Sequence, residues 1–285
     1  MESEWQKFQQ RIGLPDPHET GRPWVSAHRG YSGAVPENTL AAVDAARAVG
    51  VDFIEFDVTR TSDGVPIIIH DDTLERTTDG TGTVEQQTLS ELADIDAGSW
   101  LGPGFAGARI PTLESMLAGF AEHGGRMLFE FKGLWEPDGV KAVCERIRSA
   151  GLDDRVLVQS FNVRTVRNLL SVAPDLPRGL LRSAPRQSDL ELLPELEVAA
   201  YNPSVQGLLH RPDEMRAIVD TGVGSFVWFV DEQDQWRRLL DFGVSSIITD
   251  HPARLQGYLD AVLGEAGHPA PPRSVPYRLP ANLPN

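Results

Sequence analysis

Short apolar runs alternate with amphipathic helical stretches from about residue 24 to residue 263, and this alternation limits the possible folds more than any other feature. The strand-like runs cover residues 24–27, 53–58, 65–69, 127–131, 156–159, 179–181, 198–201, 225–230 and 246–248. Helical patterns fill most of the intervals, at residues 39–49, 113–122, 139–150, 163–172, 213–221, 233–242 and 253–263. Strands that alternate with helices in this way predict βαβ units and a parallel sheet.

The second and third runs are too close together to be parallel neighbours. Only residues 59–64 separate them, whereas a parallel crossover needs about a dozen residues or more. We therefore expect an antiparallel hairpin that turns near Ser62-Asp63-Gly64 and returns residue 70 to the neighbourhood of residue 57. Eight strands remain for the sheet, which is the number in a (β/α)₈ TIM barrel.

The chain divides into three parts on these patterns. Residues 1–23 form a polar N-terminal extension with helical character, and residues 24–263 form the barrel. An insertion after the hairpin, about residues 71–110, is rich in Thr, Asp and Gly, and Ser90-Glu91-Leu92 begins a short helix in it. Residues 264–285 are rich in proline, which blocks helix and central strand, so we expect an extended tail.

The charge balance excludes several classes of function. Lys and Arg number 26 against 41 Asp and Glu, a formal net charge of −15. No basic cluster suits nucleic acid, anionic membranes would repel the chain, and no apolar run reaches the roughly 18 residues of a membrane helix. The N-terminus lacks the pattern of a signal peptide. The single cysteine, Cys144, is expected in the core, and a cytoplasmic location follows.

Two acids share one face of the second strand. Glu55 and Asp57 alternate with Phe56, so their side chains point to the same side. Inside a barrel two carboxylates would repel each other and resist ionisation, and a divalent cation such as Mg²⁺ or Ca²⁺ would remove that problem. The alternative is a solvated edge strand with both acids directed outward.

The fourth run repeats this pattern. Glu130 and Lys132 share one face between apolar neighbours. Glu130 can complete a site of three carboxylates, and Lys132 can contact a phosphate oxygen. A simple salt bridge between the two residues is the alternative.

Two histidines follow strand-like runs. His28-Arg29-Gly30 ends the first run, where His can act as a general acid or base and Arg can bind phosphate bidentately. His70 ends the hairpin, and Asp71 can orient it. A single histidine is more often structural than catalytic, but strand ends that deliver two of them to one barrel mouth favour a catalytic pair.

Other residues near strand ends have weaker signals. Asn38 is expected to be a helix N-cap. Phe161 and Trp228 either pack on the carbon portion of a substrate or belong to the core. Asp250 and His251 precede Pro252, which suits the first turn of a helix, so they are expected to be capping residues rather than catalysts.

At these positions the chain resembles the glycerophosphodiester phosphodiesterases. The shared motifs are His28-Arg29-Gly30, Pro36-Glu37-Asn38-Thr39, Glu55-Phe56-Asp57-Val58, Asp63-Gly64, His70-Asp71-Asp72-Thr73-Leu74, Arg76-Thr77-Thr78, Ile110-Pro111-Thr112-Leu113-Glu114, Glu130-Phe131-Lys132, Ser160-Phe161 and Ile248-Thr249-Asp250-His251-Pro252. Each tripeptide is a weak signal, but their ordered combination over residues 24–252 is specific.

The resemblance implies a (β/α)₈ barrel that hydrolyses glycerophosphodiesters to glycerol 3-phosphate and an alcohol. It implies that Glu55, Asp57 and Glu130 bind one divalent cation, Ca²⁺ or Mg²⁺. It also implies that His28 and His70 are the acid–base pair and that Arg29 and Lys132 contact the phosphate.

One segment departs from the family pattern. Where the family often has Trp-Thr-Val-Asn, this chain has Trp228-Phe229-Val230-Asp231, a change that can alter the alcohol pocket. The expected partner is a small-molecule phosphodiester, without nucleic acid or a stable membrane anchor, and the oligomeric state stays open. Two alternatives are phospholipase D-type action on lysophospholipids or sphingophospholipids at the same site, and a non-catalytic binding protein on the same barrel.

Overall fold

Nine β-strands form one sheet in the computed structural model, which describes residues 2–264. The strands are β1 (Trp24–Ala27), β2 (Phe53–Arg60), β3 (Pro66–Ile68), β4 (Met127–Phe131), β5 (Val156–Ser160), β6 (Arg178–Arg182), β7 (Ala200–Pro203), β8 (Phe226–Val227) and β9 (Ser246–Thr249). Apart from its first residue, the predicted tail at 264–285 lies outside the described residues.

Twelve α-helices connect or flank these strands within the same residues. They are α1 (Glu4–Ile12), α2 (Pro17–Thr20), α3 (Leu40–Val49), α4 (Leu89–Leu92), α5 (Leu113–His123), α6 (Pro137–Ser149), α7 (Val163–Val172), α8 (Asp189–Leu196), α9 (Val205–His210), α10 (Pro212–Val219), α11 (Gln233–Phe242) and α12 (Pro252–Leu263).

Eight of the strands are parallel and form a nearly closed barrel. Their order is β7-β6-β5-β4-β2-β1-β9-β8. The gap between β7 and β8 is spanned by isolated parallel bridges, from Ala200 to Gly224 and from Ser204 to Trp228. The predicted (β/α)₈ barrel is confirmed.

The short third strand is the returning arm of a hairpin. β3 pairs with β2 in antiparallel register, with Val58 opposite Ile68 and Arg60 opposite Pro66. Gly64 has a φ of 80° in the turn, a conformation that glycine adopts without strain. The predicted hairpin is confirmed.

Most predicted elements lie within a few residues of the observed ones, and the exceptions are short. α8 and α9 were not predicted, because α8 contains Pro194 and α9 has only 6 residues. β8 is shorter than the predicted run at 225–230, because only Phe226 and Val227 remain in the ladder.

Alternation along β2 separates the barrel lumen from the helical layer. Phe56 packs on Phe120 of α5, with ring centroids 5.7 Å apart, and on Phe129 of β4, at 5.3 Å. Glu55 and Asp57 therefore face the opposite side, which is the lumen. The same parity places Phe53 in the bottom layer of the lumen.

Helix α1 closes the bottom of the barrel. Its residues Trp5, Phe8 and Ile12 are buried against Trp24, Phe53 and the other apolar side chains of the bottom layer. The Trp5 ring packs directly on the backbone at Gly224, where a Cβ would lie 2.3 Å from the ring. The polar N-terminal extension thus contains an amphipathic helix whose apolar face is part of the core.

The insertion has a small apolar core of its own. Leu74, Val84 and Leu92 are buried and pack on Ile67 and Ile69 at the hairpin. The predicted short helix is α4, which carries a capping box between Thr88 and Glu91. These contacts hold the insertion over one side of the barrel mouth.

None of the helices within residues 2–264 has both the length and the apolar character required of a membrane-spanning segment.

Replacing Phe8 by Ala should destabilise the fold strongly. The ring is 1% exposed and contacts the bottom layer of the barrel, and removal of such a side chain costs about 3–5 kcal/mol. Urea unfolding of F8A measures the change, with exposed Lys7→Ala on the same helix as the control. Equal unfolding midpoints for the two variants would contradict the proposed role of α1.

Candidate active site

Three carboxylates meet in the lumen near the carboxyl ends of adjacent strands. Asp57 on β2 lies directly beside Glu130 on β4 in the parallel register. Glu55 lies on the same face of β2 as Asp57. One oxygen atom from each carboxylate lies within 4.8 Å of the others, and all three side chains are buried. The structure thus brings together the three acids that the sequence nominated as metal ligands.

Burial makes ionisation of these acids unfavourable, and a bound cation would offset that cost. Burial raises the pKa of Glu55 well above its ordinary value, and Asp57 raises it further. Burial and Asp57 also raise the pKa of Glu130 to about 8. For Asp57 itself, burial is outweighed by Arg29 and other nearby cations, and the pKa is lowered. Three carboxylate oxygens are the donor set that Ca²⁺ and Mg²⁺ take, so the residues fit a divalent cation.

Asn38 holds Asp57 from the side of the first loop. Its Nδ2 donates to Asp57 Oδ2 at 2.9 Å, and its Oδ1 accepts from the Asp57 backbone N–H at 3.2 Å. The N-cap of α3 is Thr39, whose side chain accepts from the Ala42 N–H. The predicted capping role of Asn38 is wrong, because a φ of 57° turns its amide toward the barrel and leaves the cap to the next residue.

Arg29 is bound by both its backbone and its side chain. Its N–H donates to Glu55 Oε2 at 2.9 Å, its Nη1 donates to Glu37 at 2.7 Å, and its Nε lies 3.4 Å from Asp57 Oδ2. Gly30 follows with a φ of 77°, and a Cβ there would lie 2.6 Å from the backbone of α3. Only glycine lets this loop pass so close to the helix.

Lys132 brings a second cation to the acids. Its Nζ lies 3.4 Å from Glu130 Oε1 and 3.8 Å from Asp57 Oδ1. The salt bridge that was an alternative for Glu130 and Lys132 is therefore present, and it lies in the carboxylate cluster rather than apart from it.

His28 is paired with a carboxylate from the end of the last strand. Its Nδ1 lies 2.6 Å from Asp250 Oδ1, which also accepts from Ser32 Oγ at 2.8 Å. Burial raises the pKa of Asp250, but the hydrogen bonds from His28 and Ser32 outweigh it and lower the pKa to about 2. Asp250 is thus an ionised partner of His28.

The predicted capping role of Asp250 is wrong for a reason of strand parity. Asp250 follows β9 on the same side as Ile248, which lies in the lumen. Helix α12 begins at Pro252 with His251 at its N-cap position, and no side-chain hydrogen bond caps it.

His70 is held by an ion-pair chain that enters from the insertion. Its Nδ1 lies 2.6 Å from Asp71 Oδ1, and Arg76 donates to both Asp71 oxygens at 2.5 and 2.8 Å. Arg76 also donates to both oxygens of Glu37, at 2.7 and 2.8 Å. Because Glu37 binds Arg29 as well, an unbroken chain of charge-assisted bonds joins His70 to Arg29.

These pairings fix the tautomer of both histidines. An ionised carboxylate only accepts hydrogen bonds, so each Nδ1 carries the proton that is shared with Asp250 or Asp71. Each Nε2 then has a free lone pair in the neutral ring and a free N–H in the protonated ring. Both histidines can therefore take or give a proton at Nε2.

An aromatic wall, Phe161, Trp228 and Phe229, lies at the ends of β5 and β8. Phe161 contacts Trp228 edge-on with ring centroids 5.3 Å apart, and Phe229 stacks on His28 at 5.2 Å. Phe161 and Phe229 are 39% and 47% exposed. Since the rings of Phe161 and Phe229 remain open to solvent at the mouth, they are available to a ligand, whereas Trp228 is partly buried.

Sequence and structure comparisons agree on one family. The sequence pattern of the glycerophosphoryl diester phosphodiesterase family matches residues 28–254. The chain belongs to this family. The glycerophosphodiester phosphodiesterase of Caldanaerobacter subterraneus subsp. tengcongensis is 35% identical over 233 residues, 81% of this chain and 95% of the relative. A Bacillus subtilis protein of the same name is 30% identical over 246 residues, 79% of this chain and 83% of the relative.

Solved structures place the fold in the same family. An Oleispira antarctica phosphodiesterase, solved in complex with the product sn-glycerol-3-phosphate, has a TM-score of 0.77 and 30% identity, covering 85% of this chain and 99% of that one. A glycerophosphodiester phosphodiesterase from Agrobacterium tumefaciens has a TM-score of 0.71 and 29% identity, covering 82% and 99%. The family that the motifs indicated is confirmed.

The sequence pattern did not place several residues in this phosphodiesterase site. Glu37 and Arg76 belong to shared motifs, but they are separated from His70 in the chain or lie in the irregular insertion, so spacing did not link them. For Asp250 a signal existed, since a residue after the last barrel strand lies at the mouth.

Arg76→Ala should lower turnover although Arg76 lies outside the carboxylate cluster. Its removal frees Asp71 and Glu37 at once, and loss of such orienting partners typically costs about 10–100-fold in activity. The measurement is the steady-state kcat on a glycerophosphodiester. The control is Arg167→Ala, which removes an exposed ion pair with Glu195 on the barrel exterior. Unchanged kcat in R76A would show that the ion-pair chain has no part in orienting His70.

Proposed function

We propose that this chain hydrolyses glycerophosphodiesters to glycerol 3-phosphate and an alcohol, with one divalent cation and with acid–base catalysis by His28 and His70. Membership of the family makes the chain a phosphoric diester hydrolase. The observation that carries the mechanism is the convergence of three buried carboxylates and two carboxylate-paired histidines on one barrel mouth.

Glu55, Asp57 and Glu130 would hold the cation, which we propose to be Ca²⁺ or Mg²⁺. A bound divalent cation polarises phosphoryl oxygens and stabilises the charge that develops on them. The raised pKa values of Glu55 and Glu130 support this assignment, because burial and repulsion by Asp57 both disfavour the charged acids when no cation is bound.

Charge balance supports the same assignment. When all three carboxylates are ionised, as cation binding requires, they leave with Arg29 and Lys132 one net negative charge, which would repel a phosphodiester monoanion. A divalent cation makes the sum positive by one. A like-charge contact at 4 Å costs roughly 4 kcal/mol at an effective dielectric near 20, enough to decide whether the substrate binds.

The two histidines divide the proton transfers. One Nε2 takes a proton from the attacking group, which is water or the neighbouring glycerol hydroxyl by way of a cyclic phosphate. The other Nε2 donates a proton to the leaving alkoxide. Asp250 and Asp71 each accept from the Nδ1 of one ring and keep that nitrogen protonated. Arg29 and Lys132 contact the phosphate oxygens.

The exposed aromatic wall favours a second substrate class. Phospholipase D-type action on lysophospholipids or sphingophospholipids needs an apolar mouth for an acyl chain, and the rings of Phe161 and Phe229 supply apolar surface there. Turnover on glycerophosphocholine against lysophosphatidylcholine separates the two. Preference for the lysophospholipid would replace the first proposal while keeping the site.

The proposed products connect the enzyme to glycerol and lipid metabolism. A cytoplasmic location is supported by the cysteine content, since Cys144 is the only cysteine and is buried in the core.

Removing divalent cations should abolish turnover. Glycerol 3-phosphate release is measured across a panel of glycerophosphodiesters with and without a chelator, followed by addition of Mg²⁺ or Ca²⁺. Glu130→Gln should lower the affinity for the activating cation by at least about 10–100-fold. Exposed Glu136→Gln should leave that affinity unchanged. Full activity in the chelator would contradict metal dependence.

Replacing either histidine by Ala should cost about 10²–10⁴ in kcat. Exposed His123→Ala, at the far end of α5, is the control. A p-nitrophenyl phosphodiester needs no proton to release its alcohol, so the variant that lacks the general acid should recover on this substrate and the other should not. The division of roles would be contradicted if each variant lost the same factor in kcat on the glycerophosphodiester and on the p-nitrophenyl substrate. Wild-type turnover in H28A or H70A would contradict it as well.

A further inference from the structure

The segment in which this chain departs from its family lies against His28. Phe229 and Asp231 stand where the family often has Thr and Asn. We propose that these two residues form a clamp that positions the imidazole of His28 for proton transfer. The proposal rests on the proposed catalytic role of His28.

The first half of the clamp is a ring stacked on a ring. The Phe229 and His28 rings are nearly parallel, with an interplanar angle of 13° and centroids 5.2 Å apart. Phe229 is 47% exposed, whereas Val227, two residues before it, and Val230, directly after it, are buried in the core. The ring therefore adds little to the core, and its defined contact is with the imidazole. A threonine cannot make this contact.

The second half of the clamp acts through Asp250. Asp231 Oδ1 accepts from Thr249 Oγ1 at 2.7 Å and from the Asp250 backbone N–H at 2.9 Å. Asp250 in turn accepts from His28 Nδ1. Asp231 thus fixes the backbone of Asp250, whose side chain binds His28. Asn can also accept through its Oδ1, so the carboxylate strengthens a bond that the family residue can make.

The other histidine is held by different means. His70 depends on Asp71 and on the bidentate hold of Arg76. Within residues 2–264, ring stacking on a catalytic histidine occurs at His28 but not at His70. Asp250 is held by Ser32 and by backbone contacts instead of an arginine, so the ring supplies the restraint on the open face of His28.

These contacts hold the imidazole of His28 in one orientation before substrate binds. The bond at Nδ1 fixes one edge of the ring, and the stacked Phe229 blocks rotation about the bond that joins the ring to Cβ. These two contacts leave Nε2 a single direction. Holding a proton-transfer group in its reactive geometry raises kcat more than substrate affinity.

The test is a set of Phe229 variants of the full chain assayed on a glycerophosphodiester. Phe229→Leu keeps apolar bulk but removes the ring, Phe229→Thr restores the common family residue, and Phe229→Tyr keeps the stack. We expect F229L and F229T to lower kcat roughly 3- to 10-fold, the size of an aromatic-pair interaction, with KM within about twofold. F229Y should recover most of the kcat.

Two controls separate positioning from loss of structure. Phe242→Leu removes a ring that packs under Arg216 at the far end of α11, and its kcat should be unchanged. A double variant, H28A/F229L, should have the kcat of H28A alone, because Phe229 acts through His28. In NMR spectra, the ring C–H protons of His28 should lie upfield in the wild type and move downfield in F229L.

The outcomes are distinct. Wild-type kcat in F229L, a change confined to KM, equal losses in F229Y and F229L, or the same fold loss in the H28A background would each overturn the clamp and leave the proposed function intact. Wild-type turnover in H28A would instead overturn the proposed function, whatever the Phe229 variants do. Asp231→Asn should lower kcat less than Asp231→Ala. Equal kcat in the wild type, D231N and D231A would show that Asp231 is not part of the clamp.

Discussion

Electrostatic repulsion among three buried carboxylates is the constraint on which the rest of the site depends. Glu55, Asp57 and Glu130 lie within reach of a common point in a barrel lumen whose bottom layer is filled by apolar side chains. Such a cluster costs free energy in the folded protein unless cations accompany it. In return, the strands of the barrel fix the positions of the acids more firmly than loops can.

Much of the surrounding structure compensates for that negative charge. Arg29 and Lys132 approach the cluster, Asn38 donates to Asp57, and the Arg29 N–H donates to Glu55. Glu37 then balances Arg29 and Arg76, so the compensation continues outward to the insertion. His28 and His70 lie at the edge of this network, and each is paired with its own carboxylate.

The sequence predicts the parts of this arrangement that follow from period and spacing. Alternation along residues 53–58 places Glu55 and Asp57 on one face, and the short gap after residue 58 requires the hairpin that returns His70. These inferences depend on backbone geometry alone, which is why they are reliable. Parity would also have placed Asp250 at the mouth, but the proline that follows suggested a helix cap.

Features that depend on long-range contacts or on single unusual conformations were not predicted. Asn38 and Arg29 adopt positive φ angles, which no local pattern announces. Helix α1 has a polar sequence on most of its surface, and only the open bottom of the barrel gives its buried face a partner. Glu37 and Arg76 meet because the insertion folds over the mouth, a contact between residues 39 positions apart.

A crystal soaked in Mn²⁺ would show whether Glu55, Asp57 and Glu130 bind one cation together. Mn²⁺ takes the same oxygen ligands as Mg²⁺ and Ca²⁺ and can be located by its anomalous scattering. We expect one strong peak in the barrel mouth, in contact with oxygens of Glu55, Asp57 and Glu130. A mouth without a peak, or a peak that any of these three carboxylates fails to touch, would contradict it.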